Sequence, residues 1–192
     1  MAPPARGLLV VVSGPSGVGK DSVLERVFHR DPGLRYSVSY TTRNPRAGEV
    51  DGVDYTFVGD AEFDRMVAAG EFLEWANVHG HRSGTGRRRI EEALGAGQDI
   101  ALNIDVQGGT AVRRLMPEAL LIFLAPPSRE ELRRRLAARA TEGAEEIARR
   151  QADADIEMGY SDQYDAVVVN DDLDRAADEV LALIKERRGE SA

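Results

Sequence analysis

A chain of 192 residues, 42% hydrophobic and 30% charged, is long enough for one domain with a sizeable core and too apolar to be intrinsically disordered. Its formal net charge of −8 excludes the broad positive field that coating a nucleic-acid backbone requires, but a local arginine cluster could still hold small anions. With no cysteine there is neither a disulfide framework nor a thiolate metal centre, which suits a cytoplasmic location. His29, His79 and His81 lack zinc-type spacing, and no apolar run is long enough to span a bilayer, so no membrane partner is expected.

Residues 7–13, GLLVVVS, are an apolar run too short for a helix and rich in valine. They predict a buried strand rather than the apolar stretch of a signal peptide. GPSGVGKDS follows, with Gly14, then four residues, then Gly19 and Lys20: the spacing of a phosphate-cradling loop. Gly14, Gly17 and Gly19 let the backbone turn its amides toward phosphate oxygens, and Pro15, Ser16 and Val18 complete the loop. Lys20 brings a point charge within reach of the terminal phosphates of ATP, and Ser22 lies in the first turn of the helix behind it, whose N-terminus favours an anion. Where such a loop usually carries a Ser or Thr hydroxyl for magnesium, this chain has Asp21. A carboxylate is a hard oxygen donor, which makes Asp21 a candidate Mg²⁺ ligand.

The helix beginning at Lys20 shows the apolar spacing Val23, Leu24, Val27, Phe28 and stops at Asp31-Pro32-Gly33. Residues 36–90 are richer in charge, glycine and turns, with a short alternating segment at 53–58 and a helix over about 60–69. Strand-like runs then recur at 99–103, 119–125 and 166–169, with helical segments at 109–116, 129–140, 144–158 and 173–187. This alternation predicts an α/β fold of the P-loop NTPase type, a parallel sheet with helices on both faces. The core would comprise 7–35, 91–127 and 151–187, with an inserted lobe over about 36–90 and an arginine-rich lid over about 128–150. Residues 1–6 and 188–192 are expected to be flexible ends.

SYTTRNPRAGEVDGVDYTFV at 39–58 resembles the nucleotide-monophosphate lobe of guanylate kinases. The likeness continues in the same order through EFLEWANVHG, IDVQGG, IFLAPPSREELRRRLAAR and VVVNDDLD, and covers roughly residues 7–187. It implies phosphoryl transfer from ATP to GMP with Mg²⁺, a step of purine metabolism that recycles GMP, with dGMP left open as a second acceptor and the chain a monomer or a homodimer. Arg43 and Arg46, three apart beside Pro45, would grip the acceptor phosphate, with a hydroxyl from Tyr55. Guanine presents N1–H and N2–H₂ as donors and O6 as acceptor. The resemblance gives Glu74 and Asp105 to the donors and Ser39 and Thr85 to the acceptor. Arg135, Arg139 and Arg150 of the lid would join Lys20 and Arg43 in neutralising the transferring group, no protein nucleophile being needed.

The chain departs from the family pattern at Asp21, at Asn103 where an aspartate is common, and at Ser83 where a phosphate-contacting tyrosine is common; Arg82 is a candidate to replace that contact. Two other readings remain: a ribose-bisphosphate phosphokinase of the phosphonate pathway, whose loop also reads GKDS, and a non-catalytic guanylate-kinase-like module that binds a protein. The first has no need of the guanine constellation, and the second typically has a damaged phosphate loop.

Overall fold

The computed structural model describes residues 6–78, 80–139 and 144–190, with the side chains of 138, 139 and 144–149 outside the description. Its central sheet has five parallel strands in the order β2-β7-β1-β8-β9. These are β1 (Leu9–Ser13), β2 (Arg35–Tyr36), β7 (Ile100–Asn103), β8 (Leu120–Ala125) and β9 (Ala166–Val169). Alternation of side chains across the sheet explains why the strands read as unbroken apolar runs. Leu9 and Val11 face one layer, packing with Leu102, Leu121, Phe123 and with Ile90 and Val112 of the covering helices. Val10 and Val12 face the other, with Ile122, Leu124, Val27, Val180 and Ile184. The helices are α3 (Arg87–Gly95) and α4 (Val106–Leu115) on the first face, and α1 (Lys20–Arg30) and α7 (Leu173–Arg188) on the second.

A second sheet, in the order β4-β3-β6-β5, is built from β3 (Tyr40–Thr41), β4 (Thr56–Phe57), β5 (Phe72–Val78) and β6 (His81–Gly86). Helix α2 (Asp60–Ala68) packs Phe63 and Met66 against Phe72 on one face of it. β5 and β6 pair antiparallel, setting Glu74 opposite Thr85. Helices α5 (Arg129–Arg139) and α6 (Ala144–Met158) pack through Leu132, Leu136 and Ala154. Among the described residues, no helix is long and apolar enough to cross a membrane.

Several elements differ from the sequence-based expectation. The alternating segment at 53–58 contributes only Thr56–Phe57 as strand, because residues 51–55 close a turn in which the Gly52 amide donates to the Tyr55 carbonyl at 2.8 Å. Helix α4 starts at Val106 rather than 109, since the Asp105 carboxylate accepts the Gly108 amide and caps it. The chain at 188 is not a free end. Arg188 extends α7 and donates to Asp99 at 2.6 Å and Asp31 at 2.7 Å, with its side chain 16% exposed. Asp99 in turn accepts the Leu8 amide at 2.6 Å, so this cluster ties α7, the end of α1 and the start of β1 together. Truncating one partner of such a half-buried cluster leaves two carboxylates facing each other. Arg188→Ala should lower the unfolding free energy by about 1–3 kcal/mol, read as a fall in denaturation midpoint; an unchanged midpoint would mean the cluster behaves as an exposed surface pair.

Candidate active site

The phosphate loop joins β1 to α1 and its path is set by close contacts. Gly19 has φ 99°, and a Cβ there would lie 2.6 Å from Asn170 Nδ2; at Gly14 it would lie 2.2 Å from the Leu124 carbonyl oxygen. Asn170, buried at the end of β9, donates Nδ2–H to the Val18 carbonyl at 2.7 Å and so props the loop from beneath. Lys20 Nζ curls back to the carbonyls of Gly14 at 2.7 Å and Pro15 at 3.3 Å. From the lid side, Leu136 of α5 sits over Gly17, where a Cβ would be 2.8 Å from its Cδ2.

One cleft of about 710 Å³ runs from this loop to the second sheet. Ser16, Gly17, Lys20 and Asp21 line its loop end, Arg43, Arg46, Tyr55 and Glu74 its far end, and Asp105 and Arg150 its sides. Gly14, Pro15, Val18, Gly19 and Ser22 shape the loop without lining the cleft, and Val18 is fully buried.

Asp21, in the first turn of α1, receives the Asn103 amide, Nδ2 to Oδ1, at 2.5 Å. Because a carboxylate can only accept, the amide nitrogen must be the end that faces it. The two departures from the family pattern are thus one contact: Asn103, at the end of β7, replaces a negative neighbour with a neutral donor.

At the far end Arg43 makes a bidentate pair with Glu49, at 2.8 and 2.9 Å, and stacks over Tyr55 with its Cζ 5.1 Å from the ring centre. Glu49 also accepts the Arg46 amide at 2.7 Å. Arg43 first, then burial and that amide, act on its carboxyl, and the net effect is to hold it below the usual range. Burial pushes the Tyr55 phenol up. Glu49 was not anticipated; its spacing six residues from Arg43 carries no helical or strand signature.

Glu74 is buried on β5 and receives the Thr85 hydroxyl at 2.5 Å. Burial pushes its carboxyl up to about 7, the Asp105 charge adding to the effect and the Thr85 hydrogen bonds opposing it. Gly108 makes room for it, since a Cβ there would be 2.7 Å from Glu74 Oε2. Ser39 is buried beside this region without lining the cleft, and the Thr85 hydroxyl is committed to Glu74. Asp105 is committed as well, with Oδ1 capping α4 and Oδ2 accepting Gln107 Nε2 at 3.0 Å.

The lid arginines divide. Arg150 lines the cleft. Arg135 turns behind the loop, donating to the carbonyls of Val18 at 3.3 Å and Asn170 at 3.2 Å and to Glu131 at 2.8 Å. Arg139 ends α5, and its side chain lies outside the described residues. Arg82, the candidate replacement for a phosphate contact, also lines the cleft, but its guanidinium is engaged by Asp60 at 2.7 Å and by Asp64. Ser83 donates to the Tyr40 carbonyl at 3.2 Å. Asn170, Glu49 and Glu157, a carboxylate of α6 facing the loop, are the polar contributors that sequence reasoning missed.

An anion-binding loop, a cationic end and a buried carboxylate sharing one cleft are what a kinase acting on a purine monophosphate needs. Comparison with known proteins agrees. The guanylate kinase family model matches residues 6–187. The chain is 53% identical over 180 residues to the guanylate kinase of Nocardia farcinica (93% of each chain). It is 51% identical over 179 residues to that of Symbiobacterium thermophilum (93% of this chain, 85% of the other). The crystal structure of guanylate kinase from Anaplasma phagocytophilum superposes with a TM-score of 0.80 at 34% identity, covering 97% of this chain and 89% of that one. With fold, cleft and these likenesses in agreement, the chain belongs to the guanylate kinase family.

Proposed function

We propose that this cleft is where the chain, a kinase of the guanylate kinase family, transfers the terminal phosphoryl group of ATP to GMP, giving ADP and GDP. The observation that carries the assignment is the continuity of the cleft between the amides and lysine of the loop and the buried Glu74. A base carrying two adjacent N–H donors matches Glu74, whereas adenine offers no such donor pair. dGMP, with the same base and phosphate, is a second expected acceptor, and a cytoplasmic role in purine recycling fits the composition. Neither alternative reading is favoured: a sugar-phosphate acceptor gives no use to the Glu74 pocket, and the loop retains its lysine and glycines.

In this reading the loop amides and Lys20 hold the donor phosphates, and Arg43, Arg46 and Tyr55 hold the acceptor phosphate. Glu49 fixes the plane of the Arg43 guanidinium, and Glu74 with Asp105 receives the guanine edge. Arg150 and Arg139 supply positive charge from the lid, while Arg135 steadies the loop from behind. The acceptor phosphate oxygen is itself the nucleophile, so the protein positions two anions and neutralises their repulsion. Asp21 would help hold an Mg²⁺ ion brought in with ATP, which would supply positive charge against the phosphates. The donor set fits that ion: Asp21 is a hard carboxylate donor at the loop end of the cleft, and Mg²⁺ commonly takes one or two carboxylates beside phosphates and waters.

Three outcomes test these roles. Asp21→Ala should raise the Mg²⁺ concentration for half-maximal rate about tenfold, while Asp21→Ser should change it modestly; identical magnesium dependence in all three proteins would remove Asp21 from the metal. The second concerns Glu74. Ionised Glu74 is the form that accepts guanine donors, so guanosine, which has no phosphate to titrate, should lose affinity about tenfold per unit as pH falls below 7, with adenosine binding flat. In the empty protein the sign reverses. A carboxyl raised from 4.5 to about 7 contributes stability that is complete below 4.5 and lost as pH rises through 7. Glu74→Leu should therefore gain more thermal stability at pH 8 than at pH 4, by up to about 3 kcal/mol, while losing GMP turnover. Equal gains at both pH values would place Glu74 in contact with water. Third, the lobe of residues 36–90 and the lid of 128–150 should swing inward around ATP analogue and GMP together; solution scattering should show a smaller radius of gyration with both ligands than with either.

A further inference from the structure

The loop at 14–20 has a carboxylate against it. Oε2 of Glu157, on α6, accepts the backbone amide of Ser16 at 3.0 Å across 141 residues of sequence. Glu157 lines the same cleft as Ser16, Gly17 and Lys20. The bond is the polar part of a seam between the α5–α6 pair and the loop. Its apolar part is Leu136, seated over Gly17 and packed on Leu132 and Ala154, and Ala154 is one helical turn from Glu157.

We propose that Glu157 is a built-in phosphate surrogate: it occupies the donor end of the cleft in the empty enzyme and is displaced by the polyphosphate of the incoming nucleotide. The proposal rests on the reading of residues 14–20 as the donor-phosphate loop. A carboxylate on a backbone amide makes a charge-assisted hydrogen bond roughly twice as strong as a neutral one. Phosphate oxygens entering beside Ser16 and Lys20 bring two to four negative charges close to that carboxylate, where like charges repel strongly in a desolvated site. The amide and the cleft therefore favour one anion at a time. Because Glu157 is fixed to α6, its departure loosens the same helix that carries Arg150, and donor binding becomes coupled to release of the lid from its resting seat. The bond thus lowers the apparent affinity for the donor and ties occupancy of the loop to lid position.

The discriminating measurement is calorimetric binding of three ligands, inorganic tripolyphosphate, ATP and adenosine, to the full chain and to Glu157→Gln, which keeps shape and an acceptor oxygen but loses the charge. Tripolyphosphate and ATP should bind about tenfold more tightly to the variant, and adenosine equally to both. Glu157→Ala, which removes the acceptor altogether, should show the same gain and guards against an effect peculiar to glutamine. In the wild-type protein, amide hydrogen exchange in the second half of α6 should speed up on adding tripolyphosphate. Unchanged or weaker polyphosphate binding in both variants would overturn the proposal and make Glu157 an ordinary support of the loop. If wild-type protein binds no tripolyphosphate at all, the reading of the loop falls together with it.

Discussion

The tight turn from β1 into α1 leaves the carbonyls of Gly14, Pro15 and Val18 outside any strand or helix ladder. Their need for partners organises the surrounding structure. Buried main-chain acceptors need partners, and each nearby element supplies one. Asn170 at the end of β9 takes the Val18 carbonyl, Arg135 from α5 reaches the same carbonyl, and the Lys20 ammonium covers those of Gly14 and Pro15. The parallel order β7-β1-β8-β9 brings the C-terminal ends of these strands together, which is why residues as distant as Asn103 and Asn170 converge on one loop.

Charge along the cleft follows from the same economy of partners. The cleft brings together Lys20, Arg43, Arg46 and Arg150 with the carboxylates Asp21, Glu74, Asp105 and Glu157, and Glu49 pairs with Arg43 behind its lining. Their environments differ sharply. Glu49 is held ionised by a guanidinium, whereas Glu74 is buried with a hydroxyl as its hydrogen-bond partner. A protein selected for stability alone would not bury Glu74; its position is intelligible as preparation for a ligand bearing the missing donors.

Much of this was legible in the sequence, for identifiable reasons. β1, β7, β8 and β9 are covered on both faces, so they write themselves as apolar runs, and glycines at fixed spacing write the loop. β5 was missed because Phe72, Leu73 and Glu74 are buried in succession, so FLEWANV shows no clean alternation, and β6 because HRSGTG buries only Gly84 and Thr85. α3 was hidden by its opening Arg87-Arg88-Arg89, leaving only Ile90, Ala93 and Leu94 to show periodicity. The guanine and phosphate residues were named from resemblance, and the cleft gathers most of them. The residues that hold others in place, Asn170, Glu49 and Glu157, belong to contacts over 152, 6 and 141 positions, which no local pattern encodes.

The Arg43–Glu49 pair has a consequence for what the enzyme ignores. The carboxylate is tethered to its guanidinium by a span of six residues, so its effective local concentration is on the order of millimolar or higher. Inorganic phosphate, sulfate or a stray carboxylate arriving alone must outcompete that resident ion and gains nothing elsewhere in the cleft. A nucleotide arrives with its base also engaged, and the two contacts together exceed what either could achieve. If the cleft binds GMP as proposed, the pair would work as a coincidence filter, keeping Arg43 indifferent to lone anions and responsive to the molecule that satisfies both ends at once.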